Sequence, residues 1–227
     1  MSRQKIVKEL NEKSQIKLRV FNQTLEVFHV LKETLHEMSN DINEEWGDND
    51  DRRLRLEYRD RGKFEAELKF ADDVLIFSMH SDTFQFDRDH AAWKLPYVEK
   101  DKENAYCGMI SVYNFLSDSL KYNRVDDLGY MVARLFVNHE KAFIAEGKRQ
   151  KCGKLNAFGQ FFLEKKDLIA FVETAMLYAL SFDLLVPPFD LVKEASVAQM
   201  NAKIESAKLQ TGKRLGFRYN SDDVLEN

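Results

Sequence analysis

Asp72, Asp73, Asp87, Asp89 and His90 form a candidate set of metal-ligating and acid/base side chains. Oxygen donors in that number suit Mg²⁺, Mn²⁺ or Ca²⁺. Crowded carboxylates also shift one another's pKa, as general acid/base pairs require. The five converge if residues 74–79 and 83–86 pair as an antiparallel hairpin around His80-Ser81-Asp82, which brings position 73 beside 89. The plainer expectation is that aspartates mark turns and strand ends, where their side chains bond nearby backbone N–H groups.

A second constellation is basic. Residues 147–166 hold Lys148, Arg149, Lys151, Lys154, Lys165 and Lys166 against one acid, Glu164, a balance of +5 in twenty residues. Gly147, Gly153 and Gly159 loosen the segment, and Phe158, Phe161 and Phe162 put aromatics among the cations. Cations with aromatic platforms are what an anionic ligand, an acidic partner or single-stranded nucleic acid needs. A solvated loop whose phenylalanines pack inward is the plain alternative. The acidic run at 41–51, with six acids and no base, is a possible docking site for this loop, within a dimer or within the chain.

Two further patterns are weaker. Glu26-x-x-His29 and Glu33-x-x-His36 project from one helical stripe, whereas Glu-x-x-His metal sites draw their pairs from facing helices. A solvated flank with i,i+3 and i,i+4 pairs accounts for them. Glu67-x-Lys69, with Asp60 before it, resembles the acidic-x-Lys element of metal-dependent nucleases of the PD-(D/E)xK type. It fits the exposed face of a strand equally well.

Other signatures are absent. There is no GxGxxG and no GxSxG, and Gly147-Lys148-Arg149 lacks the Gly and Ser/Thr of a P-loop. Residues 41–52 fail as an EF-hand, with Trp46 at the turn position and Arg52 where a bidentate Glu belongs. Cys107 and Cys152 stand 45 positions apart, with no CxxC and no disulfide framework. The 227 residues carry 34 Lys plus Arg and 38 Asp plus Glu, a net −4. That is not the balance of a dedicated nucleic-acid binder.

These residues need elements to position them. Leu18, Phe21, Leu25, Phe28, Leu31, Leu35, Met38 and Ile42 recur at steps of three and four, predicting a long amphipathic helix over 6–42. Its length calls for a break near Ser14 or for a dimer partner. The period then falls to two: Leu54, Leu56 and Tyr58 alternate with charges, as do Phe64, Ala66, Leu68 and Phe70. A three-residue loop, Asp60-Arg61-Gly62, closes this hairpin, so 58 opposes 64, 56 opposes 66 and Arg55 opposes Glu67. Residues 109–116 read as a strand, and 130–137 with 142–145 as a hairpin around Asn138-His139-Glu140.

Asp167 is placed to cap a helix over 168–182, and Asp190 a second, amphipathic one ended by Gly212, with an edge strand over 214–219. The predicted architecture is one α+β domain, with an antiparallel sheet of about six or seven strands. A long N-terminal helix and two C-terminal helices pack on one face of it. Its parts are a helical arm (1–45), a sheet (52–146) and a helical region (165–212).

The stretches at 132–138, 145–150 and 211–217 resemble uncharacterised conserved proteins of Bacteroidota bacteria. That resemblance implies a bacterial source and no function. The charged amphipathic start reads as no signal peptide. The apolar stretch 168–186 contains Glu173 and Asp183 and reads as a buried helix, so a cytoplasmic protein with no membrane span is expected.

Two functions follow as expectations. One is a non-catalytic, dimeric binding module contacting an anionic ligand or acidic partner through Lys148, Arg149, Lys151, Lys154 and Phe158. The other is a divalent-cation enzyme acting on a phosphoester at the Asp/His cluster.

Overall fold

The computed structural model describes residues 2–47, 51, 54–125, 127–182, 189–194 and 196–197. The apolar stripe of the N-terminal segment yields one unbroken helix, α1 (Ser2–Trp46). At about 1.5 Å per residue it is about 67 Å long. Burial begins at Ile16 and continues through Val20, Thr24, Val27, Phe28, Leu31, Leu35 and Met38. The expected break at Ser14 is absent. The residues before Ile16 stand exposed beyond the body.

Seven antiparallel strands follow: β1 (Glu57–Asp60), β2 (Glu65–Phe70), β3 (Asp73–Met79), β4 (Phe84–Gln85), β5 (Tyr106–Leu116), β6 (Tyr130–Asn138) and β7 (Phe143–Gly147). Their order is β1-β2-β3-β5-β6-β7, with β4 paired to β5. Alternation sends Ala66, Leu68, Leu75, Phe77, Ile110, Val112, Leu135 and Val137 to one face. There they meet Phe28, Leu31 and Leu35 of α1 and Phe171, Val172 and Ala175 of α4 (Lys165–Leu180) in a single core. The helix crosses the sheet at Gly108, where a Cβ would lie 2.1 Å from the Thr24 hydroxyl, so only glycine admits that approach. A bulge between Val112 and Tyr113 turns both Val132 and Ala133 toward the core.

The β1–β2 hairpin forms with another register. Asp60 opposes Ala66 and Arg59 opposes Glu67. The Asp60 carboxylate accepts from the Gly62 N–H (2.8 Å), which keeps Asp60 in the strand and moves the turn onto the residues after it. The slip is even, so the inward set is unchanged. Leu56 lies just outside β1, bonded in both directions by the Asn43 side-chain amide (2.9 and 3.0 Å), which stands in for a neighbouring strand.

β4 departs further from expectation. β3 is already paired on both edges, by β2 and β5, and has no edge left for it. β5 extends past the end of β3, and on that open edge Phe84 meets Cys107 and Gln85 meets Tyr106. Residues 86–105, which include the short helix α2 (Pro96–Lys100), then fold over the opposite sheet face. They build a second, smaller core: Val98, Ala105, Cys107, Phe136, Ala142, Ile144 and Phe158, with Phe86, Trp93 and Tyr97 packed against it.

α4 begins three residues earlier than expected. Glu164 is its N-cap, and Asp167 accepts from the Glu164 N–H at 2.9 Å. Asp190 sits in a four-residue helix, α5 (Phe189–Val192), and bonds Lys193 at 3.2 Å. The rest of the expected second helix, Gly212 and the strand at 214–219 lie outside the described residues.

Candidate functional site

The strand order separates the aspartates. Asp73 begins β3 opposite Leu116, at one end of β5, whereas β4 binds the other end at Cys107. Those points are nine residue steps apart along β5, about 30 Å at ~3.4 Å each. Asp72 and Asp73 therefore do not meet Asp87, Asp89 and His90. Four of the five have local contacts. Asp73 is buried and accepts from the Asn114 amide at 3.0 Å. The Asp72 carbonyl accepts from the Ser117 N–H at 2.7 Å. Asp87 accepts from the Arg88 N–H at 2.7 Å, and His90 stacks on Phe86 and caps the turn at Ala92 (3.2 Å). Among the described residues, no group of three or more His, Cys, Asp or Glu side chains is arranged to hold a metal ion.

The nuclease-like triad is also divided. Glu67 and Lys69 point away from the helices, while Asp60 turns toward α1 and accepts from Lys32 at 2.7 Å. The Lys32 bond, with the Gly62 N–H, holds the Asp60 carboxyl below its ordinary range. Of the Glu-x-x-His residues, Glu26 is bonded by Lys141 at 2.8 Å and His36 lies edge-on to Tyr58. His29 and Glu33 line an open groove together with Lys32, which is bonded to Asp60.

A cleft the sequence reading overlooked lies on the outer sheet face, between β1–β2 and the short helix α3 (Ser117–Lys121). Its floor is a charge network. Glu67, with only 8% of its side chain exposed, meets Arg61 at 2.8 Å and Arg59 at 4.0 Å. Glu57 meets Lys69 at 3.1 Å and Arg59 at 3.2 Å. The cross-strand pairs Glu57↔Lys69 and Arg59↔Glu67 put opposite charges face to face. The signal was present in the alternating charges of both strands and needed the correct register to be read.

The basic connection between β7 and α4 is built differently. It doubles back along the outer edge of β7, where the Ala145 N–H donates to the Gly153 carbonyl (2.9 Å) and the Gln150 N–H to the Gly147 carbonyl (3.3 Å). The Gln150 amide reaches the Phe171 carbonyl of α4 (3.2 Å), and the Arg149 guanidinium lies 5.7 Å from the centre of the Tyr178 ring. Gly147 takes φ +144, and a Cβ there would lie 2.5 Å from the Val132 carbonyl. Lys148, Arg149, Lys151 and Lys154 are all exposed. Lys148, Lys151 and Lys154 form no ion pair with a described residue, and Lys165 instead reaches Glu37 of α1.

Phe158, expected among the ligand-facing aromatics, is 2% exposed and edge-packed on Phe86 and Tyr97 in the second core. Phe161 and Phe162 are the exposed aromatics, and a bridge between Ala142 and Phe162 holds that stretch beside β7. Burial pushes the Cys107 and Cys152 thiols up, away from the thiolate a nucleophile needs.

Compared with family models, curated proteins and solved structures, the chain matches none. No described helix is long and apolar enough to cross a membrane.

Proposed function

We propose that this chain is a non-catalytic binding module whose contact surface is the basic β7–α4 connection, taking the anionic groups of an acidic partner or ligand. One observation carries the reading. Lys148, Arg149, Lys151 and Lys154 are held at the surface by a loop anchored to β7 and α4, and the lysines form no ion pair with a described residue. A fixed loop presents its cations without first losing conformational freedom, which lowers the cost of binding. The charges of the β1–β2 face, by contrast, are already matched to one another. Binding through long, exposed lysines depends on salt, because exposed charges are screened over about 8–10 Å at ordinary ionic strength.

The divalent-cation reading requires the five Asp/His residues in one place, and the strand order puts them in two. The experiment uses fluorescently labelled polyglutamate as probe, titrated at low and high salt. Wild-type protein is expected to bind it in a salt-sensitive manner. Lys148→Glu with Lys151→Glu removes the binding, and Asp87→Ala leaves it unchanged. Equal binding by the lysine variant and wild type would overturn the assignment.

A further inference from the structure

α1 carries its charge against its own dipole. Residues 2–17 hold Arg3, Lys5, Lys8, Lys13 and Lys17 against Glu9 and Glu12, net +3. Residues 33–46 hold Glu33, Glu37, Asp41, Glu44 and Glu45 with no Lys or Arg, net −5. No acid stands in the first turn and no base in the last. A helix N-terminus is its positive end and favours acids, and the C-terminus favours cations. α1 has the reverse at both ends, a local conflict that the single chain offsets only in part, where Lys165 reaches Glu37 and Glu9 meets Lys13.

Both ends also carry exposed side chains. Ile6, Val7 and Leu10 are 56%, 52% and 59% exposed. Ile6 and Leu10 stand one helical turn apart on the stripe that is buried from Ile16 onward. At the other end Glu33, Asp41, Glu44 and Glu45 are exposed, and Trp46 is 48% exposed beside them.

We infer that a second copy of this chain occupies the arm: the basic N-terminal end of one α1 lies antiparallel along the acidic C-terminal end of the other, and the reverse contact closes a twofold pair. Antiparallel placement sets cations against carboxylates at both ends and opposes the two helix dipoles, so the arrangement that each helix lacks by itself is supplied by its mate. Ile6, Val7 and Leu10 gain an apolar surface at Trp46. Two arms laid side by side without the acidic ends would set +3 against +3, so arm-to-end contact is the arrangement the charges select. This inference rests on α1 and is independent of the basic loop.

The test measures mass in solution for the full chain and two variants, Arg3→Glu with Lys5→Glu, and Glu44→Lys with Glu45→Lys. Wild type is expected to approach twice 26.6 kDa at low ionic strength. It falls toward a single chain in about 0.5 M NaCl, where the screening length is about 4 Å. Each variant alone sets its two reversed side chains against residues of the same sign at the facing end and loses the dimer, weakening it at least tenfold. An equimolar mixture of the two restores a dimer, because the two reversed pairs then face each other with opposite sign and the two unaltered ends do likewise. Both reversals place charge in the sense the helix dipole favours, so α1 does not melt, and circular dichroism verifies this. A monomeric wild type at up to about 100 µM, a dimer that survives in either variant, or a mixture that stays monomeric would each overturn the inference.

Discussion

The β1–β2 face and the β7–α4 connection are both dense in charge, and they differ in what those charges face. On β1–β2, Glu57, Arg59, Arg61, Glu67 and Lys69 answer one another across the strands, with Glu67 nearly buried. On the connection, Lys148, Lys151 and Lys154 face solvent without an acidic partner among the described residues. Charge density alone is therefore no sign of a binding site. A paired set is spent on holding strands in register, whereas the exposed lysines of the connection are the set on which the proposed binding rests.

The largest expected effect falls on binding. Reversing Lys148 and Lys151 should weaken polyglutamate binding at least tenfold, about 1.4 kcal/mol or more. Unfolding stability should move by no more than about 0.5 kcal/mol, since these side chains are exposed and form no ion pair with a described residue. Denaturant melts and probe titrations on the same samples separate the two. A stability loss equal to the binding loss would erase the contrast between the regions.

Glu67→Ala is the converse case. It should cost about 1–2 kcal/mol of stability by leaving Arg59 and Arg61 without their shared acid, a figure held down because both arginines are exposed enough to regain water. Polyglutamate binding should stay unchanged. A shift in the urea midpoint at constant slope reads this out. A double-mutant cycle on Glu57 and Lys69 should show a smaller coupling, about 0.5 kcal/mol, in line with a part-exposed cross-strand pair.

The smallest effect is on pH dependence. Lys32 holds the Asp60 carboxyl below its ordinary 3.8, so its folded pKa lies under its unfolded one. The pairing then adds stability above that value and loses it as pH falls through and below 3.8. Asp60 is exposed, so the contribution is slight and Asp60→Asn should only flatten the acid limb of a stability profile. Asp60 and the basic connection stand at opposite edges of the sheet, so Asp60→Asn should leave probe binding at pH 7 unchanged, and a change there would tie the two regions together.

The parts of the fold that could be read in advance share a property: they depend on short sequence separations. The three- and four-residue steps of Phe28, Leu31 and Leu35 predicted the buried side of α1, and the two-residue alternation around Leu68 and Leu135 predicted inward faces. The β6–β7 hairpin formed around Asn138-His139-Glu140 as expected, with Val137 opposite Phe143. The β1–β2 register slipped because inward parity is the same for any even shift, so alternation could not choose among them. The turn bond from Gly62 to Asp60 made the choice. Phe158 looked like a loop aromatic because nothing local shows that residues 86–105 fold over the outer sheet face to receive it.

The sequence alone determined that this chain makes a long amphipathic helix, half-buried antiparallel strands and a basic connection, since periodicity and charge are written residue by residue. Tertiary structure decided which edge was free for β4, and with it the separation of Asp73 from Asp87. It also decided which charges found partners. Strand pairing is a competition among distant segments for a limited number of open backbone edges, and its outcome depends on every strand already in place.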